Sequence, residues 1–143
     1  MTLNQLVSLF RVLSTNQGQL NDFECTVASE SQLGPDTKFP RLLVELQPGN
    51  LNNKDLVLNF AFIFSDRVQK GLGNEIEVLS DILSIATDYR ALLMDPQYGE
   101  DFAVEGSITI TPFRDATDEE TAGWMFEAGI RLTDLKDRCQ IPG

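Results

Sequence analysis

Carboxylates are the only side chains in this sequence with the numbers and spacing to do chemistry. Glu75, Glu77, Asp81, Asp88, Asp95, Glu100, Asp101 and Glu105 fall in one continuous stretch. Glycoside hydrolysis by paired carboxylates needs two of them held face to face across a cleft. Nothing in the spacing fixes such a pair, because most of these residues fall on caps or on the solvent side of one helix. Asp115, Asp118, Glu119 and Glu120 are dense enough to suggest calcium. Their spacing does not match an EF-hand loop, and an acidic hairpin tip is expected instead. Gly71-Leu72-Gly73 lacks the third glycine of a phosphate-cradling loop and precedes no basic segment.

The other reagents of side-chain chemistry are missing. There is no histidine, so the commonest general base and metal ligand is absent, and with it Ser-His and Cys-His nucleophilic pairs. Zinc sites of the usual composition are excluded on the same ground. Cys25 and Cys139 are far apart and form no CxxC motif, so neither a disulfide framework nor a redox pair is expected. No catalytic, cofactor-binding or metal-binding residue is assigned, and the chain is not expected to be an enzyme.

Composition limits the remaining classes. At 143 residues with 42% apolar content, the chain suits one domain with one core, residues 1–143, and an extended tail at 134–143. The longest apolar run, Leu56 to Phe64, is strand-length, so no membrane partner is expected. No basic region opens the sequence, so no signal peptide is expected either. The net charge of −11 repels phosphate and argues against binding DNA by counterion release. It suits a surface that DNA must pass without sticking.

Hydrophobic periodicity supplies the elements. Leu3, Leu6, Val7, Phe10 and Leu13 recur at helical spacing over 2–14, with Thr2 as N-cap. Residues 20–28 alternate as a half-buried strand, followed by a polar loop from Ser29 to Lys38. A strand over 39–47 leads through the turn chemistry of Pro48-Gly49-Asn50 into a strand over 54–66. That second strand is apolar on both faces, as a doubly covered strand or a subunit contact would be. Asn74 opens a helix over 75–94, with Ile76, Leu79, Ile82, Leu83, Ala86, Tyr89, Leu92 and Leu93 as its stripe. Residues 101–113 and 121–133 alternate as two further strands. The fold class expected is α+β: a two-layer sandwich of a mostly antiparallel five-stranded sheet with two helices on one face. Phe60, Phe62, Leu79, Ile82, Leu83, Ile108 and Trp124 are expected in its core.

The pattern resembles a known family. A short N-terminal helix leads to a hairpin tip of Pro48 to Leu51 and a strand ending Phe64-Ser65-Asp66. A helix opening at Asn74 to Asp81 follows, then a strand rich in Thr and Ile ending Pro112-Phe113. Thr121 to Trp124 precedes the last strand, and Arg138 to Pro142 closes the chain. Together these resemble the small tail-terminator, tail-completion or neck ring proteins of tailed bacteriophages, notably crAss-like and related phages of Bacteroidetes. The resemblance implies a non-catalytic, cofactor-free virion protein, made in the bacterial cytoplasm. It would form a six- or twelve-fold ring beside portal, neck or tail proteins, with DNA passing through.

Two residue sets follow for such a ring. Val57, Ile63 and Met125, on the second faces of their strands, are candidates for the inter-subunit contact. Asp36, Asp115, Asp118, Glu119 and Glu120 lie in loops free of any core obligation and are candidates for lining the conduit. The competing expectation is a small acidic cytosolic binding module, or an inhibitor that mimics the charge of DNA.

Overall fold

The structure, a computed structural model, describes residues 2–27, 37–51, 55–68, 73–95, 102–105, 109–115 and 120–132. Two helices and six strands run in the order α1 (Leu3–Gln17), β1 (Asp22–Val27), β2 (Arg41–Leu51), β3 (Leu56–Arg67), α2 (Glu75–Leu93), β4 (Phe102–Glu105), β5 (Ile110–Asp115) and β6 (Thr121–Leu132). The sheet order is β1-β2-β3-β6-β4, and β5 also pairs with β6. Both helices pack on one face, giving the α+β sandwich.

Helix α1 starts where its capping chemistry starts. The Thr2 side chain accepts from the Gln5 backbone N–H, and the Gln5 side chain accepts from the Thr2 N–H, closing a capping box. Gly18 ends the helix in the left-handed conformation, at φ 88°. At α2 the N-cap residue is Asn74, but its side chain makes no cap hydrogen bond; Glu75 and Glu77 in the first turn complement the helix dipole.

Under the helices lies an aromatic centre. Phe62 has Phe10, Phe60, Tyr89 and Phe126 around it, with ring centroids 5.0–6.3 Å apart. Each of these side chains is buried, which stabilises the fold by roughly 1.5–3 kcal/mol apiece. The Tyr89 hydroxyl is carried into this core because it finds the Phe10 carbonyl oxygen at 3.0 Å. Trp124, at the rim, is half-buried and donates its indole N–H to the Leu79 carbonyl at 2.7 Å.

Five expectations are corrected. The sheet has six strands, because the expected strand over 101–113 is two. Pairing to β6 steps from Glu105↔Gly129 to Ile110↔Phe126, so β4 and β5 lie end to end along one long partner with extra residues between them. Strand β1 pairs with β2 in parallel, Asp22↔Arg41 through Val27↔Leu46, so the connection between them is a crossover rather than a hairpin. Pro48-Gly49-Asn50 belongs to β2 as an irregularity between Gln47 and Asn50, and pairing with β3 continues to Leu51. Gly49 is needed there, since a Cβ would come within 2.6 Å of the Val57 carbonyl oxygen. The stripe of α2 is rotated from the expected one: Val78 and Ile85 are buried, while Ile76 is 75% exposed. Of the expected core, Phe60, Phe62 and Ile82 are buried, whereas Leu79, Leu83 and Trp124 are half-buried. Ile108 and the tail at 134–143 lie outside the described residues.

Candidate functional site

The sheet's second face carries no helix among the described residues, and its side chains follow from alternation. In β2, Leu42 and Val44 enter the core, so Arg41, Leu43, Glu45 and Gln47 point the other way. In β6, Phe126, Ala128 and Ile130 enter the core, so Met125, Glu127 and Arg131 share the side away from the helices. Register then aligns these positions across strands. Leu43, Ile63 and Met125 form one row, Leu43↔Ile63↔Met125. The next row is Glu45↔Ala61↔Glu127.

The result is an apolar row beside two carboxylates that straddle an alanine. Leu43 is 8% and Ala61 2% exposed although neither belongs to the core under the helices. Ile63 and Met125 are half-buried. Glu127 is exposed, and among the described residues neither Glu45 nor Glu127 forms an ion pair. Ion pairs do bound the face at its margins, Arg41 with Glu24 on one side and Arg131 with Glu105 on the other. A shallow groove of about 410 Å³ runs beside Met125, lined by Thr109, Thr111, Phe126 and Glu127. Such a face suits a protein surface with an apolar centre and a cationic element.

Of the three contact candidates, Ile63 and Met125 are direct partners in the row. Val57 shares their face but is buried, with space beside it left by Gly129, so it offers little surface. Sequence reasoning missed Leu43, Glu45, Ala61 and Glu127. Alternation within 41–47 places Leu43 and Glu45 on one side, but only the strand register brings them beside Met125 and Glu127.

The conduit candidates are not brought together among the described residues. Asp36, Asp118 and Glu119 lie outside them, and Asp115 is described only as a strand position paired with Thr121. Glu120 is turned to Arg114, at 3.3 Å, and Arg114 also holds Glu75 at 2.6 Å. That cluster clips the β5–β6 hairpin to the start of α2. At the same end of the sheet, where Arg67 pairs with Thr121, the residues Asn21, Thr37, Lys38, Phe39 and Arg67 line a second concavity of about 410 Å³. Carboxylates hold the backbone here, Asp22 accepting from the Lys38 backbone N–H and Asp66 from the Arg67 backbone N–H, while the Arg67 guanidinium lies over the Phe39 ring, 4.9 Å from its centroid.

Cys25 is a free, half-buried thiol whose pKa is pushed up by burial, with Arg11 opposing the rise. It is therefore poorly disposed to act as a thiolate. Among the described residues no group of three or more Cys, Asp or Glu is placed to hold a metal ion. No described helix is long and apolar enough to cross a membrane. In comparisons with known proteins, no family model matches this chain and no curated sequence matches it.

Proposed function

We propose that this chain is a structural subunit of a tailed-phage neck or tail connector, assembling into a ring through the sheet face opposite its helices. The observation that carries the reading is the Leu43–Ile63–Met125 row, an apolar strip on a face that no described helix covers. Half-buried apolar rows of this kind mark contact surfaces more than solvated ones. The setting, between portal and tail, comes from the family resemblance of the sequence.

Charge supports the same reading. The chain carries −11, and on and beside the face Arg41, Arg114 and Arg131 are each engaged by a glutamate. A ring built of such subunits offers DNA little to hold, which favours passage over retention. The ring's work would be to seal and to join neighbouring proteins, with no cofactor.

Native mass measurement combined with negative-stain imaging tests this reading. A closed ring of identical subunits with no measurable affinity for duplex DNA at physiological salt is the expected result. A chain that stays monomeric up to millimolar concentration would contradict it and favour the acidic binding module.

A further inference from the structure

Cations are scarce in this chain, 11 against 22 carboxylates, yet two of them share one concavity. Lys38 and Arg67 line the hollow of about 410 Å³ at the end of the sheet, together with Asn21, Thr37 and Phe39. Among the described residues no carboxylate lines it. Three segments hold this lining in place. The Asn21 N–H donates to the Pro40 carbonyl at 2.8 Å, and the Asn21 side-chain amide donates to the Phe39 carbonyl at 2.7 Å. Asp22 accepts from the Lys38 backbone N–H at 3.2 Å. The Arg67 guanidinium on the Phe39 ring joins the end of β3 to the segment before β2.

We propose that this concavity binds a small oxyanion of the phosphate-monoester class. Lys38 brings an exposed ammonium with three donors, and it forms no ion pair among the described residues. Arg67 brings a planar fork. A guanidinium stacked on a ring keeps its N–H edge for two oxygens of one anion. The Asn21 amide has a second N–H besides the one given to Phe39.

Charge selects the class. Two cations match the charge of about −1.5 to −2 that a phosphate monoester carries at pH 7, where a carboxylate brings a single charge. The flanking carboxylates, Asp22 and Asp66, are turned to the backbone N–H groups of Lys38 and Arg67 and moderate the local charge without entering the lining. The chain's charge of −11 repels a polyanion such as duplex DNA, so the ligand is a small molecule. A hollow of about 410 Å³ falls within the range of small-molecule sites. The site needs no second copy, and it stands or falls apart from ring assembly.

Inorganic phosphate titrated into the full chain at constant ionic strength tests it, with acetate as the singly charged comparator. Binding is followed by calorimetry and by amide NMR shifts. Saturable phosphate binding is expected, with shifts at the Asn21, Lys38 and Arg67 amides and weaker binding of acetate. Lys38→Gln should weaken phosphate binding about tenfold. It should leave the melting temperature unchanged, because the Lys38 side chain is exposed. Arg67→Lys keeps the charge but loses the fork and the ring stack, so it should weaken phosphate binding as well. Phosphate that does not saturate, that binds either variant as tightly as wild type, or that acetate matches in affinity overturns the site.

Discussion

Tyr89 donates its buried hydroxyl to the Phe10 carbonyl oxygen across 3.0 Å, and this bond ties α2 to α1 above the aromatic centre of the sheet. Removing it with Tyr89→Phe should cost about 1 kcal/mol at neutral pH, because the carbonyl is left with one partner fewer in a dry site.

The same residue should also shape stability at alkaline pH. Burial pushes the Tyr89 phenol well above its ordinary value of 10.0, with a smaller push from Cys25. Below about pH 10 the phenol is protonated in folded and unfolded chains alike, so its contribution is intact. Above that, the unfolded chain releases the proton first, and stability falls as the pH climbs toward the folded-state value. Urea unfolding at neutral pH and above pH 10 should show a steeper loss in wild type than in Tyr89→Phe. Equal losses would mean that Tyr89 does not carry the alkaline slope.

The two glycines of β6 should respond differently to alanine. A Cβ on Gly123 would overlap the Phe64 carbonyl oxygen, so β3 and β6 would have to separate. Gly123→Ala should cost about 3 kcal/mol or prevent folding. A Cβ on Gly129 meets only side-chain atoms, Asn59 Oδ1 at 3.1 Å and Val57 Cγ1 at 3.2 Å. Gly129→Ala should cost about 1–2 kcal/mol, since Val57 is buried and Asn59 holds the Pro48 carbonyl, but each has to give by only a few tenths of an ångström. Melting temperatures of the two variants rank them, and the reverse order would show that the β3–β6 register is wrong.

At the centre of the core, Phe62→Ala should cost about 3–5 kcal/mol, since the cavity would open among four rings. Phe62→Leu keeps most of the volume and should cost less than about 1.5 kcal/mol. Denaturant midpoints check both. A small effect of the alanine variant would place Phe62 outside the core.

Much of this fold was legible because local chemistry and tertiary packing agree. Thr2 announces the start of α1, and the alternation of Phe126, Ala128 and Ile130 with Glu127 and Arg131 sets both faces of β6 before any partner is known. The failures share a cause: each depends on what an element pairs with or packs against. Whether 101–113 is one strand or two is decided by its register on β6. Nothing within 20–28 says that β1 runs parallel to β2. Pro48-Gly49-Asn50 has turn chemistry, yet pairing with β3 carries β2 past it to Leu51. In α2 several faces are apolar, so only contact with the sheet selects Val78 and Ile85 over Ile76. The candidate site divides in the same way. Ile63 and Met125 could be named from their strands, whereas Glu45 and Glu127 are neighbours only because β3 lies between β2 and β6.

A change at Met125 should separate folding from assembly. Met125 is half-buried on the sheet face opposite the helices and is not part of the core cluster under them. Met125→Lys should therefore leave thermal stability within about 1 kcal/mol of wild type. Met125→Leu should preserve both stability and assembly. Melting curves check the first point, and a large loss of stability in the lysine variant would mean that the face is covered within the subunit.

Ring assembly through the sheet face opposite the helices is tested most directly by weighing the particle. Mass photometry of the wild-type chain and of Met125→Lys, at matched concentrations, is the measurement. A discrete multiple of the subunit mass for wild type, reduced to the 15.9 kDa monomer by the single lysine, is the expected result. A wild-type chain that remains monomeric, or a Met125→Lys chain that assembles as wild type does, would contradict it.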